Sequence, residues 1–481
     1  MAPIDAYKLI RSNLSMDSKP AMNVGTFLTT ELDDESLRLM EESNGKNYMD
    51  FHAYPETNKI SGRCKTMVAR LYHAYESNKG YAGCSVLGSS EGIMLGVLAA
   101  KFRWRENRQK AEKDCSKPNI VFGTNAHICW KKAAIYLDVE IRTVPVDNNT
   151  LVMQPKDAIK KVDENTVAVG ITLGDMFTGI YENVHGLNEL IDVKMKSKEW
   201  DVGVSEKWSV GINVDAATGG FVAPFIAPFM RDNDPYKSWD FALDHVAFIN
   251  VSAHKYGLTY PGLGWALWRH TDFIPQRMIL PVDYIGGDTQ ETYTLNFSKS
   301  SSQVLAQYYT FIRYGQSGMQ ALMVGLLKTT EYFRKEIDNL VHIHKNEDGT
   351  EERKKVFKIY SSDKVEHGVP MVSFSLLDWP KFDENKVQLS AFLRQRGWIV
   401  PAFKKPVTES TSAAKLKNGL EGRERELMMR VIVRTDLSKG RISQLVSDIT
   451  DGVNQLASNP SSYRGDISPY FPDLLLRTGH F

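Results

Sequence analysis

The sequence predicts an α/β fold, with a large domain on a mostly parallel sheet covered by helices and a smaller C-terminal α+β domain. Three observations carry this. Short apolar runs alternate with helical patterns between residues 119 and 268. The stretch 303–340 is helical in pattern throughout. Strand and helix patterns then recur on a smaller scale over 354–459. The boundaries that follow are 1–25 for an N-terminal arm, 26–325 for the large domain, 326–459 for the small domain and 460–481 for a tail.

Taken in order, residues 1–25 are polar with little periodicity. Met67, Val68, Leu71 and Tyr72 repeat at helical spacing within 63–75. A Gly/Ser loop over 80–90 opens a helix over 91–113, whose apolar face carries Ile93, Met94, Val97, Leu98 and Phe102. A strand is predicted at 119–123 and a helix at 127–137. Strand 140–146, helix 155–162, strand 167–173 and helix 186–199 follow, then strands 211–215, 244–251 and 263–268. The smaller domain is predicted to hold strands 356–360, 371–377 and 429–434 and helices 385–397 and 441–457. The charged, aperiodic stretch 404–425 predicts a mobile loop. His342 and His344 alternate in a short strand and read as surface residues, not metal ligands.

Bulk composition excludes several function classes. Lys+Arg is 59 and Asp+Glu is 58, so no global field favours nucleic acid or an anionic membrane. No apolar run approaches the ~18 residues that span a bilayer. Met1-Ala2-Pro3-Ile4-Asp5 lacks the basic flank and apolar core of a signal peptide, so a cytoplasmic location is expected. Cys64, Cys84, Cys115 and Cys129 show no CxxC spacing, which argues against a disulfide framework or a zinc site.

Five stretches can carry chemistry, and each also has a plain structural reading. Lys255 follows the apolar run Val246-Ala247-Phe248-Ile249 and sits between His254 and the turn former Gly257. It can hold a cofactor aldehyde as a Schiff base, or be a surface-loop lysine. Gly88-Ser89-Ser90-Glu91 starts a helix, where free N–H groups and the dipole favour a phosphate; taken alone, plain N-capping by serine is the commoner reading. Asp215 ends an apolar strand and needs a partner, either a protonated ring nitrogen or the next turn. His127 opens a helix after a strand, where its ring can stack on another ring or cap the helix. Arg430, within the apolar run Leu427–Val433, suits either a ligand carboxylate or a structural ion pair.

Together and in this order, these features resemble the fold-type I pyridoxal-phosphate decarboxylases, and within them the glutamate decarboxylases. The resemblance covers roughly residues 7–460. It rests on Gly88-Ser89-Ser90-Glu91, Ile128-Cys129-Trp130, Asp215-Ala216-Ala217-Thr218-Gly219-Gly220-Phe221, Val282-Asp283-Tyr284-Ile285-Gly286-Gly287, Asn296-Phe297-Ser298, Gln307-Tyr308-Tyr309 and Pro401-Ala402-Phe403. It implies pyridoxal 5'-phosphate as cofactor and α-decarboxylation of L-glutamate to 4-aminobutyrate. By the same resemblance Lys255 forms the Schiff base, Asp215 pairs with the pyridine nitrogen, and Ala217 and His127 lie against opposite ring faces. Ser89, Ser90, Ser252 and His254 hold the phosphate, with Ser298 reaching in from a neighbouring subunit. Arg430 takes the α-carboxylate. Thr26 and Phe27, with Asn47 and Asp50 of the neighbour, match the distal-carboxylate pocket. Tyr284 matches a loop tyrosine that closes over the site and helps a protonation. A homodimer with shared sites is the expected minimum. The short arm does not match the helix that ties bacterial relatives into hexamers, the tail lacks a calmodulin-binding pattern, and His480 resembles a tail histidine that plugs some bacterial sites.

One position departs from the pattern. Close relatives carry a Thr where Met176 stands, after Asp175. This motivates an alternative in which the enzyme acts on another amino acid or couples decarboxylation to oxidation. A catalytically inert dimeric scaffold is a reading of a different class, opposed by the presence of Lys255, Asp215 and Arg430.

Overall fold

In a computed structural model the structure describes residues 1–74, 80–197, 210–283, 290–345, 348, 350–377, 386–408 and 427–458. Seven strands form the large sheet: β1 (Ala82–Val86), β2 (Asn119–Gly123), β3 (Glu140–Val144), β4 (Thr166–Thr172), β5 (Gly211–Asp215), β6 (Val246–Ser252) and β7 (Gly264–Trp268), in the order β1-β7-β6-β5-β4-β2-β3. The pairs from β3 through β6 are parallel, and β7 and β1 add antiparallel. Strands β2 and β6 are buried along their whole length, as their unbroken apolar runs require of a sheet covered on both faces.

Helices α1 (Pro3–Leu14), α2 (Asp34–Ser43), α3 (Pro55–Leu71), α4 (Ser89–Lys110), α5 (Ile128–Tyr136), α6 (Pro155–Ala158), α7 (Val184–Lys196), α8 (Ala223–Ile226) and α9 (Ser302–Asp338) accompany this sheet. Two hairpins follow, β8 (Leu280–Val282) with β9 (Gln290–Thr292), and β10 (Val341–Lys345) with β11 (Glu351–Lys355). A second, antiparallel sheet has the order β12 (Phe357–Ile359), β13 (Met371–Leu376), β15 (Leu427–Ile432), β14 (Ala402–Lys404), with α10 (Lys386–Gln395) and α11 (Lys439–Ser458) packed together.

The expected element order holds over the large sheet, with four corrections. Residues 3–14 form a helix, started by Pro3 at its first turn, although none of its residues is buried. The expected 80–90 loop contains β1, a strand too short and too rich in small residues to show a period. The 155–162 helix is one α turn, continued by a 3-10 turn over Ile159–Lys161. Helix α9 is broken at Gly315, whose φ of 59° and ψ of −171° suit glycine alone. Most of the expected 404–425 loop and the whole 460–481 tail with His480 lie outside the described residues.

The parallel strands put chemistry at one edge. β2, β4, β5 and β6 lead at their carboxyl ends into Asn125–His127, Gly174–Met176, Asp215–Ala217 and Ser252–Lys255. The crevice beyond the carboxyl ends is where open α/β sheets bind ligands.

Candidate active site

A cavity of about 500 Å³ opens at this edge. Its wall brings together Ser89, Ser90, His127, Met176, Asp215, Ala217, Ser252, His254 and Lys255. Thr26, Phe27, Asn47, Asp50, Ser298 and Arg430 do not line it. Tyr284 lies outside the described residues.

Lys255 follows the end of β6, and its Nζ lies 5.4 Å from the centre of the Phe27 ring. Desolvation pushes its ammonium down to about 8; Asp215 opposes this and Arg430 adds to it. A half-buried lysine whose ammonium gives up its proton this readily is a competent nucleophile. His254 is pushed down to about 4, first by desolvation and then by the Lys255 charge, so its ring is neutral.

Asp215 is buried, and three donors fix it: Asn250 Nδ2 at 2.9 Å and Ala217 N at 3.2 Å to Oδ1, and Trp130 Nε1 at 3.2 Å to Oδ2. Trp130 can reach it because Gly170 in β4 has no side chain; a Cβ there would stand 2.7 Å from the indole. Among the described residues Asp215 has no salt bridge. A buried carboxylate without a cation suits a protonated ring nitrogen.

At the other end of the cavity α4 begins with no side-chain cap. Ser252 Oγ donates to Ser89 Oγ at 2.8 Å, and Ser90 Oγ lies 2.8 Å from Cys129 Sγ. The buried Nδ1 of His254 has no hydrogen-bond partner among the described residues. Uncapped N–H groups, two hydroxyls and an unused ring nitrogen fit a phosphate. Of the two roles weighed for His127 the structure shows the cap, its Nδ1 accepting from Cys129 N at 3.3 Å at the start of α5, and the residue also lines the cavity. Although solvent reaches His127, the cavity walls lower its pKa by desolvation, against the pull of Asp215.

Arg430 on β15 lies outside the lining of the cavity. Its Nε donates to Gly25 O at 3.1 Å and its Nη1 to Met176 O. Its guanidinium lies between the Phe27 and Phe403 rings, 5.4 and 5.1 Å from their centres. Among the described residues it has no carboxylate partner, so the structural ion pair weighed from the sequence is not formed there. The segment carrying Gly25 and Phe27 is clamped from below. Arg434 donates to Thr26 O at 3.3 Å and makes a two-pronged buried pair with Asp436, at 3.1 and 3.0 Å.

Asn47 and Ser298, both assigned to a neighbour's site by the resemblance, meet each other here, Nδ2 to Oγ at 3.5 Å. Asp50 caps Ala53 N at 2.8 Å. Sequence reasoning missed Trp130, Asn250, Asn125 and Glu91 as wall or support residues. Glu91 Oε1 accepts from Leu295 N at 3.0 Å and so ties that segment to the start of α4. The available signals were the polar Asn250 in an apolar strand and Trp130 three residues after His127. Among the described residues no cluster could hold a metal ion, and no helix is long and apolar enough to cross a membrane.

The family model for the pyridoxal-dependent decarboxylase conserved domain matches residues 5–352. A glutamate decarboxylase of Petunia hybrida is 39% identical over 95% of this chain and 82% of its own length. One of Aliivibrio fischeri (strain ATCC 700601 / ES114) is 35% identical over 96% of this chain and 90% of its own. The solved Lactobacillus brevis CGMCC 1306 glutamate decarboxylase superposes with a TM-score of 0.80 at 30% identity, over 95% of this chain and 93% of that one. An Oryza sativa TDC solved with PLP and tryptamine, 14% identical with a TM-score of 0.71, shares the fold. With most of its length matched by the family model, and with a cavity wall that suits the cofactor, the chain belongs to the pyridoxal-dependent decarboxylase family, carboxy-lyases that work with pyridoxal 5'-phosphate.

Proposed function

We propose that the protein removes the α-carboxylate of L-glutamate as carbon dioxide and yields 4-aminobutyrate. The observation that carries this reading is the shared wall of Lys255, Asp215 and the open start of α4, in a chain that aligns over 95% of its length with a plant glutamate decarboxylase. In this reading Lys255 would take the cofactor's aldehyde, Asp215 would pair with its ring nitrogen, and Ala217 and His127 would contact its ring. Ser89, Ser90, Ser252 and His254 hold the phosphate. Bound there, the cofactor supplies an electron sink for the pair left when the Cα–carboxylate bond breaks. Arg430 would hold the α-carboxylate and so orient the bond to be broken, and orientation is a large lever on rate. Thr26 and Phe27, with the partner subunit's Asn47 and Asp50, receive the distal carboxylate, and the partner's Ser298 completes the phosphate site. Tyr284 closes over the site. The working unit is a cytoplasmic homodimer that shares its sites.

The named plant and bacterial relatives favour glutamate over the alternative raised by Met176. Incubating the holoenzyme with a panel of amino acids, and measuring carbon dioxide, amine and aldehyde, tests both. We expect 4-aminobutyrate from glutamate; its absence, with an amine or aldehyde formed from another amino acid, rejects the reading. Sedimentation of the purified protein tests the dimer.

A further inference from the structure

The turn after β4 links the cavity to Arg430, and one fully buried carboxylate folds it. Asp175 is 0% exposed and has no salt bridge among the described residues. Its Oδ2 accepts from Phe177 N at 2.9 Å, Thr178 N at 2.8 Å and Thr178 Oγ1 at 2.9 Å. Its Oδ1 accepts from Asn125 Nδ2 at 3.0 Å. Gly179 N closes back on Asp175 O at 2.8 Å, and Asp175 N donates to Ile180 O at 2.9 Å. Met176 sits inside this loop, where it lines the cavity and puts its carbonyl on Arg430 Nη1.

The support continues inward. The same Asn125 Nδ2 also donates to Glu182 Oε1 at 2.9 Å. Glu182 is anchored by Met153 N at 2.9 Å and Thr172 N at 2.7 Å. Two buried carboxylates therefore grip one amide, and the amide cannot move without breaking both contacts. At the far end, Arg430 commits Nε and Nη1 to backbone carbonyls, and among the described residues its Nη2 has no hydrogen-bond partner. A half-buried guanidinium with one free edge fits a ligand carboxylate.

We propose that Asp175 is a positioning residue for substrate: by folding the 175–178 turn it holds the Met176 carbonyl on Arg430 and leaves the Nη2 edge to the ligand's carboxylate. This rests on the reading of Arg430 as the carboxylate anchor. Burial favours the protonated form of Asp175, and four donors offset that cost. The Asp175 charge in turn supports the Arg430 guanidinium, whose pKa desolvation lowers.

The test uses the holoenzyme, with glutarate, a dicarboxylate lacking an amine, titrated calorimetrically beside glutamate kinetics. Asp175→Asn should raise the glutarate Kd and the glutamate KM about tenfold, with kcat changed less than about threefold. Thr178→Val removes one donor to the carboxylate and should raise both constants about threefold, and Thr178→Ser should restore them. Unchanged Kd and KM in Asp175→Asn, or a fall in kcat alone, overturns the proposal. Should Asp175→Asn not fold, Thr178→Val indistinguishable from wild type overturns it instead. Arg430→Gln separates the two levels. If Arg430→Gln binds glutarate as wild type does, the anchor reading fails. If it loses binding while Asp175→Asn does not, only the present proposal fails.

Discussion

Trp130 reaches from α5 across β4 and donates its indole N–H to Asp215 Oδ2 at 3.2 Å. With Asn250 and Ala217 on the other oxygen, this leaves Asp215 one fixed orientation toward the cavity. Trp130→Phe keeps the ring but removes the donor. A lost hydrogen bond to a charged group costs about 1.5–3 kcal/mol. Cofactor retention should therefore weaken roughly tenfold or more, read by absorbance titration of the apoprotein. Unchanged affinity would mean that Asn250 and Ala217 suffice.

Lys255→Ala should abolish turnover and covalent attachment of the cofactor. Borohydride treatment followed by peptide mapping should then label Lys255 in wild type and no residue of that peptide in the variant. Retained turnover would refute the assignment.

The lowered Lys255 pKa gives a pH dependence with a definite sign. Its neutral amine accumulates as pH rises through about 8. Reconstitution of the apoprotein with the cofactor should quicken across that range and level off above it. The folded chain also binds fewer protons at Lys255 than the unfolded chain does between about 8 and the ordinary lysine value. Apoprotein stability from this group therefore rises with pH there. Stopped-flow absorbance at several pH values checks the first point, and a rate independent of pH would contradict it.

Glu182 and Asp175 act in the opposite direction. Burial pushes Glu182 up to about 7 and Asp175 up to about 6. The folded chain holds these protons where the unfolded chain has lost them, so stability is highest at low pH and falls as pH rises toward 7. The fall should amount to a few kcal/mol, on the order of 1.4 kcal/mol for each pH unit between a folded and an unfolded value. Denaturation midpoints of wild type and Glu182→Gln between about pH 5 and 8 test it, and the variant should show the shallower slope.

Asp436 is 1% exposed in its side chain and pairs with Arg434, which is 6% exposed. Thr30 Oγ1 donates to Asp436 at 2.8 Å, so the pair pins the strap that carries Gly25 and Phe27. Breaking a buried pair from one side costs about 3–5 kcal/mol. Asp436→Ala should lower the melting temperature accordingly and raise the substrate KM, because Gly25 O no longer meets Arg430. Gly25 itself has no room for a side chain, since a Cβ would strike the Pro401 ring.

Local pattern was enough where burial is uniform. The largely apolar runs at 119–123 and 211–215 are strands with the boundaries expected, because a strand covered on both faces is mostly apolar and its few polar residues, such as Asn213 and Asp215, are exceptions. It failed for β1, whose small residues pack on β7 without a periodic signature, and for α1, whose helix buries nothing. Nine of the wall residues expected from the sequence do meet in one cavity, because each follows a strand end or starts a helix, and those are positions that local patterns mark.

By itself, then, the sequence determined the α/β architecture, the lysine at the end of β6, the carboxylate at the end of β5 and the helix start at Ser89-Ser90. Tertiary structure alone decided what holds them. Trp130 and Asp215 are 85 residues apart, Asn125 and Asp175 are 50 apart, and Arg430 and Met176 are 254 apart. A hydrogen bond over such distances leaves no period in the chain. It exists because β2, β4 and β5 lie side by side and β15 folds back over their ends, which brings buried polar groups close enough to satisfy one another.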